Sequence, residues 1–159
     1  MSISLAVPGH EQSRGEEIAN SISHGVGLVA ALAATPFLIA YAVWLGDAGF
    51  IVGASVFAAT MMLLYLASTL YHALPRGKAK RAFRVIEHAA ILLLIAGTYT
   101  PFTLGVLRGA WGWTLFGLVW DLTAVRVLLA VGGGVRYRAL SVLLYLGMGW
   151  LIVVAIRSL

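Results

Sequence analysis

The chain has 159 residues, of which 61% are hydrophobic and 11% are charged, with a formal net charge of +5 and no cysteine. Soluble domains carry about 25% charged residues, so this composition excludes an ordinary soluble domain and favours an integral membrane protein. The lack of cysteine excludes disulfides, zinc–thiolate sites and a thiol nucleophile. The first 20 residues are polar and acidic, so we expect no cleavable secretory signal.

The polar N-terminal segment, residues 1–21, is predicted to be a cytoplasmic tail that ends in a short helix at the membrane interface. Ser13 and Glu16 have the spacing of a capping box, in which the two side chains and the two backbone N–H groups bond reciprocally. This pattern predicts a helix that begins at Arg14.

The transmembrane domain is predicted to cover residues 22–159, because five apolar stretches follow one another there. A bilayer core needs about 20 apolar residues per helix. The stretches are about 22–45, 50–71, 89–107, 110–130 and 139–156. Pro101 is expected to end or kink the third helix and Pro36 to kink the first, because proline removes a backbone hydrogen bond. The sequence therefore predicts an all-α, multi-pass transmembrane helix bundle.

The basic residues indicate how this bundle is oriented. If the stretches alternate across a bilayer, nine of the eleven Lys and Arg residues fall on the side that holds the N-terminus. Cytoplasmic loops carry such an excess, so the protein is predicted to lie in the cell membrane with a cytoplasmic N-terminus. These charges sit in short loops, which predicts contact with membrane lipids and not with nucleic acid. Association into a homo-oligomer is left open.

Six polar residues are predicted to lie together at the cytoplasmic end of the bundle. They are Glu17, Asn20, His24, Ser68, His72 and Glu87. The first three are spaced i, i+3 and i+7 and share one helix face, and the Ser and His of the second stretch are spaced i and i+4. Ionisable groups in membrane helices are functional candidates by default, and neutral imidazole is the commonest metal ligand.

Several of these residues also have purely structural interpretations. His88 and His10 are expected to bond a backbone carbonyl or a lipid headgroup. Ser68, taken alone, is expected to bond a carbonyl of its own helix. Tyr71 is expected to be a packing or interfacial aromatic, and the glycines of residues 25–27 are expected to let two helices approach closely.

Five segments resemble the signatures of the bacterial hemolysin III proteins, which belong with the progestin and adiponectin receptors. They are residues 16–25 (EEIANSISHG), 68–72 (STLYH), 84–88 (RVIEH), 95–102 (IAGTYTPF) and 144–150 (LYLGMGW). The resemblance covers essentially the whole chain. It implies a seven-helix bundle of which five spans are present here, so we expect a truncated member of the family or a short natural variant.

The resemblance also implies a zinc ion near the cytoplasmic side, held by a second-helix His and by a His-x-x-x-His of the seventh helix. By position, His72 is the metal ligand, and Ser68 and Glu87 are the catalytic residues that orient water. Glu87 stands where the family usually has Asp, and the sequence contains no His-x-x-x-His. The implied activity is hydrolysis of a lipid amide or ester, of ceramidase type.

Three alternatives remain at this point. His24, His72 and Glu87 could form a zinc site of two histidines and one carboxylate, provided that their side chains converge. The protein could instead be a non-catalytic, membrane-lytic or lipid-sensing, receptor-like protein. It could also be an inactive fragment, because polar groups left facing lipid are costly.

Overall fold

A computed structural model describes residues 12–107 and 109–133, and all regular structure in these ranges is helical. Four α-helices follow one another: α1 (Arg14–Trp44), α2 (Ala48–Ala73), α3 (Lys78–Pro101) and α4 (Gly109–Gly133). A π-helical segment, Phe102–Leu107, follows α3 directly. The predicted fifth span at 139–156 and His10 lie outside the described residues.

The helix α1 begins as the sequence predicts. The Ser13 backbone N–H donates to Glu16 Oε2 at 2.6 Å, and the Glu16 N–H donates to Ser13 Oγ at 3.3 Å, so the capping box is confirmed. The helix then runs without interruption past Pro36 to Trp44. A separate interfacial helix is not formed, because no second cap or proline interrupts the chain between Arg14 and the first apolar stretch.

Short turns make the first three helices antiparallel neighbours, with α2 packed against both α1 and α3. Gly46 adopts a φ of 70°, and Asp47 caps α2 by accepting the Phe50 N–H at 3.1 Å. Pro75 follows the end of α2 and prevents its continuation. The start of α1, the end of α2 and the start of α3 therefore lie at one end of the molecule.

Small residues allow these helices to pack closely. A Cβ atom added to Gly27 would lie 2.6 Å from Tyr65 Cε1, so α1 and α2 approach as predicted for residues 25–27. The same atom on Gly25 would only make an ordinary contact, 3.7 Å from Thr69 Cγ2. Gly27 therefore sets the separation of α1 and α2, and Gly25 does not.

Pro101 ends the α-helical part of the third span, as expected, but the chain stays helical through the π-helical segment. The helix α4 packs against both α3 and the π-helical segment. Trp120 Nε1 donates to Thr100 Oγ1 at 3.2 Å, and Val119 is fully buried beside Ala96 and Tyr99. These contacts fix α4 against the last turn of α3.

The described helices bury small side chains and expose large apolar ones, which is opposite to a soluble protein. Phe37 and Trp44 are each 77% exposed, whereas Ala58 and Ala67 are buried. All four helices are long and apolar enough to cross a membrane. The structure therefore points to a membrane protein with four spans within the described residues.

Candidate functional site

A cluster of polar side chains lies where the start of α1, the end of α2 and the start of α3 meet. We call it the His72 cluster, and it consists of Glu17, Ser68, His72, Lys80 and Glu87. The three helices each contribute at least one member, because the antiparallel packing brings these helix ends together. Four of these five residues were singled out by the sequence analysis, and Lys80 was not.

Ser68 is completely buried and donates its hydroxyl hydrogen to Glu87 Oε1 at 2.6 Å. The expectation that Ser68 bonds a carbonyl of its own helix is wrong. The side chain lies on the face of α2 that packs against α3, where a carboxylate is a stronger acceptor than a carbonyl that already accepts a helix bond. This bond holds the Glu87 carboxylate of α3 against α2 at Ser68.

His72 lies between two carboxylates, and only 8% of its side-chain area is exposed. Its Nδ1 atom lies 2.8 Å from Glu17 Oε2, which is a hydrogen bond. Its Nε2 atom lies 3.7 Å from Glu87 Oε1, which is too long for a hydrogen bond. The Nδ1 atom is thus held by a residue of α1, and the Nε2 atom is turned towards α3.

The second oxygen of Glu17 binds Lys80, with Nζ and Oε1 2.8 Å apart. Lys80 is buried, and its ammonium also donates to the Leu74 carbonyl at 3.2 Å and lies 4.8 Å from the centre of the Tyr71 ring. A buried charge needs such partners to offset its lost hydration. Tyr71 is therefore a partner of Lys80 as well as a packing aromatic.

The remaining predicted residues lie near the His72 cluster without joining it. The His24 ring centre lies 5.7 Å from that of His72, and His24 Nδ1 is buried without a hydrogen-bond partner in the described part of the chain. Within residues 12–107 and 109–133, no hydrogen bond joins the Asn20 side chain to the cluster, and its backbone carbonyl accepts the Ser23 hydroxyl. His88 Nδ1 donates to the Arg84 carbonyl at 2.7 Å, which confirms its structural interpretation.

The described residues do not contain three His, Cys, Asp or Glu side chains arranged to hold a metal ion. The predicted site of His24, His72 and Glu87 is therefore not formed. The structure brings His72 Nε2 near Glu87, at 3.7 Å, but His24 Nδ1 has no hydrogen-bond partner in the described part of the chain. A catalytic zinc usually takes three protein ligands, and this part of the chain offers His72 Nε2 and Glu87 as candidates.

Sequence reasoning missed Lys80 because its charge was counted with the exposed basic residues of the turn before α3. The signal that could have found it is positional. Only the short segment 74–77 separates α2 from α3, so the first turn of α3 must lie beside the last turn of α2. A Lys at that place lies close to both His72 and the start of α1.

Comparison with known proteins identifies the family of the chain. The haemolysin-III related family matches residues 12–159. A protein named "Hemolysin-3 homolog" from Bacillus subtilis (strain 168) is 44% identical over 144 residues, which cover 91% of this chain and 68% of that protein. "Hemolysin-3" from Bacillus cereus is also 44% identical over 144 residues, with 91% and 66% covered.

The chain thus spans about two thirds of the length of these curated relatives. No solved structure matches it significantly. The family match extends from the capping residues of α1 through every described helix, and the helices themselves have the length and composition of membrane spans. The chain belongs to the haemolysin-III related family of membrane proteins.

Proposed function

We propose that the protein is a zinc-dependent membrane hydrolase that cleaves an amide or ester bond of a lipid at the His72 cluster. One observation carries the proposal: a hydroxyl, a carboxylate and an imidazole from two helices meet in the series Ser68, Glu87, His72, with separations of 2.6 and 3.7 Å. Burying ionisable groups within apolar membrane helices is energetically costly, which makes these residues functional candidates.

His72 is the residue proposed to hold the metal, through Nε2. The chemistry of this donor fits zinc, because zinc-bound histidines commonly hydrogen-bond a carboxylate through the other ring nitrogen, as His72 does with Glu17. When bound, zinc lowers the pKa of a bound water and polarises a carbonyl oxygen.

Glu87 is the proposed general base and acid. Its carboxylate accepts a proton from the attacking water, whose oxygen forms a bond to the carbonyl carbon of the lipid. The same proton then passes to the leaving nitrogen or oxygen as the carbon–nitrogen or carbon–oxygen bond breaks. Ser68 acts through Glu87, because its hydrogen bond holds one carboxylate oxygen at a fixed place on α2.

The membrane position of the cluster supports a lipid substrate. The cluster lies at the end of the bundle that carries the basic segment before and within α3, where Lys78, Arg81 and Arg84 are exposed. Positive charge at that end favours the cytoplasmic side of the cell membrane and contact with anionic lipids. The substrate would then enter from the cytoplasmic leaflet, with the N-terminus on the same side.

The test measures bound zinc and lipid hydrolysis on the same purified protein. Zinc is quantified by mass spectrometry, and N-acylated and O-acylated lipids in mixed micelles are assayed for released fatty acid. His72→Ala should lose zinc and hydrolysis, whereas Glu87→Gln should lose hydrolysis more than zinc. His88→Ala is the matched control, because His88 only bonds a carbonyl of its own helix. Zinc retained at the wild-type stoichiometry in His72→Ala would refute the proposal.

A second candidate function is membrane lysis without catalysis, favoured by the name hemolysin that two relatives carry. The experiment is dye release from liposomes that contain the purified protein. Leakage that survives both His72→Ala and Glu87→Gln supports the lytic function. Leakage that is lost in the variants that also lose zinc would connect lysis to the His72 cluster and contradict a purely non-catalytic role.

A further inference from the structure

We propose that Glu17 is a positioning residue that holds His72 with its proton on Nδ1 and its lone pair on Nε2, facing Glu87, and that Lys80 anchors Glu17 for this task. The importance of that tautomer for catalysis rests on the proposed function, whereas the tautomer itself does not. One carboxylate, that of Glu17 on α1, thereby joins His72 on α2 to Lys80 on α3.

The two oxygens of Glu17 bind different partners. Oε1 lies 2.8 Å from Lys80 Nζ, and Oε2 lies 2.8 Å from His72 Nδ1. A carboxylate paired with an ammonium group is ionised and accepts hydrogen bonds only. The hydrogen shared with His72 therefore belongs to Nδ1, since an unprotonated Nδ1 would bring a lone pair against the carboxylate.

The opposite nitrogen of His72, Nε2, has no hydrogen bond of this kind in the described residues. Which ring nitrogen carries the proton is set by the hydrogen bond that the other nitrogen makes. In the part of the chain that the structure describes, Nε2 faces Glu87, whose Oε1 lies 3.7 Å away, beyond hydrogen-bond distance, and that oxygen accepts the Ser68 hydroxyl. A neutral imidazole carries one ring proton. Nδ1 lies within hydrogen-bond distance of Glu17 and Nε2 does not lie within that distance of Glu87, so the proton belongs on Nδ1 and the lone pair on Nε2.

Glu17 is itself anchored by Lys80. Its partner Lys80 is held by the Leu74 carbonyl at the end of α2 and by the face of the Tyr71 ring. These contacts fix the ammonium group, and the ammonium group fixes the carboxylate. Because Glu17 lies in the first turns of α1, the same contacts tie the start of α1 to the site. Lys80 thus holds one oxygen of Glu17, and the other oxygen orients His72.

The experiment reads the tautomer directly. Protein with ¹⁵N-labelled histidine is studied by NMR at a pH of about 9, where imidazole is neutral, and the His72 signals are assigned by their loss in His72→Asn. In the wild-type protein we expect a pyrrole-type Nδ1 and a pyridine-type Nε2. In Glu17→Leu we expect the proton to move to Nε2, the form that neutral histidine prefers in water.

Glu17→Gln keeps the shape of the side chain and covers the case in which Glu17→Leu fails to fold. Its amide offers both a donor and an acceptor, so a mixture of the two tautomers is expected. Glu16→Gln is the matched control, since glutamine also serves at the third position of a capping box, and its His72 signals should equal those of the wild type. A protonated Nε2 in the wild type, or wild-type signals in folded Glu17 variants, overturns the inference.

A separate readout distinguishes this inference from the proposed function. Loss of a carboxylate behind a ligating histidine weakens metal binding by about 10- to 100-fold, so zinc titration of Glu17→Gln should show a loss of that size. The expected tautomer in a protein without zinc or hydrolysis would refute the function and leave the positioning role intact. Hydrolysis by a protein whose His72 carries its proton on Nε2 would support the proposed function and refute the positioning role.

Discussion

Ser68 and Glu87 are 19 residues apart in the sequence and are joined by a hydrogen bond of 2.6 Å that connects α2 to α3. The bond is made by a fully buried hydroxyl. It therefore contributes to the packing of the two helices as well as to the geometry of the His72 cluster, and these two contributions are separable by experiment.

Replacing Ser68 by Ala removes the donor and leaves the buried carboxylate with one bond fewer. Hydrogen bonds to charged groups contribute about 1.5–3 kcal/mol, so we expect Ser68→Ala to lower the free energy of unfolding by about that amount. Denaturant unfolding in detergent, followed by circular dichroism, measures the effect. Ser55→Ala is the control, because the exposed Ser55 hydroxyl only bonds the Ile51 carbonyl of its own helix, and it should change stability by less than about 0.5 kcal/mol.

Lys80→Met removes the partner of Glu17 and leaves a carboxylate without its ion pair. Breaking a buried pair costs about 3–5 kcal/mol. The Glu17 side chain is 21% exposed, so we expect a smaller loss, about 1–3 kcal/mol, in the same unfolding measurement. Lys78→Met removes the same charge from an exposed position two residues earlier and should have little effect.

The double variant Glu17→Gln/Lys80→Met checks whether this loss comes from the pair itself. Residues in contact show a coupling of about 0.5–3 kcal/mol in a double-mutant cycle. The double variant should therefore be more stable than the two single losses added together. Strict additivity would show that the two side chains contribute independently, and it would contradict the ion pair between Glu17 and Lys80.

Gly27→Ala should disturb the contact of α1 with α2, because the added methyl group would lie against the Tyr65 ring. Overpacking of this kind costs about 1–3 kcal/mol. The matched control is Gly25→Ala, two residues away, where the methyl group makes only an ordinary contact with Thr69. Stability curves of the two variants check the prediction, and equal stabilities would contradict it. Adding Tyr65→Ala to Gly27→Ala should remove most of the difference.

The orientation in the membrane is testable by single-cysteine labelling, because the natural chain contains no cysteine. Gln12→Cys, just before α1, should react with an impermeant maleimide in inverted vesicles and stay unreacted in intact cells. Leu45→Cys, in the turn between α1 and α2, should show the opposite pattern. The positive-inside distribution of Lys and Arg predicts this result, and a reversed pattern would place the His72 cluster on the outer side.

Much of the fold was predictable because the bilayer imposes strict rules on a sequence. Long apolar stretches predicted the four described helices, and the pair Ser13 and Glu16 predicted the start of the first. Helical spacing and the alternation of spans then predicted that Ser68, His72 and Glu87 share one end of the bundle. Each of these predictions depends on one-dimensional spacing, which the sequence contains.

Predictions that depend on the direction in which a side chain points were less successful. Ser68 has acceptors both on its own helix and on α3, and only the packing of α2 against α3 decides between them. His24 shares a helix face with Glu17, yet its ring lies 5.7 Å from that of His72 and its Nδ1 has no hydrogen-bond partner in the described residues. Lys80 was interpreted from its charge alone, and its burial arises from the short connection between α2 and α3.

The small side chains buried between the described helices have a practical consequence for genetics. Seven buried core positions are already alanine, namely Ala31, Ala42, Ala54, Ala58, Ala67, Ala90 and Ala96. Alanine scanning, the usual method for finding structural positions, cannot detect any of them. Replacement by larger residues, such as leucine or phenylalanine, should instead produce the loss of function that marks the interior of this protein.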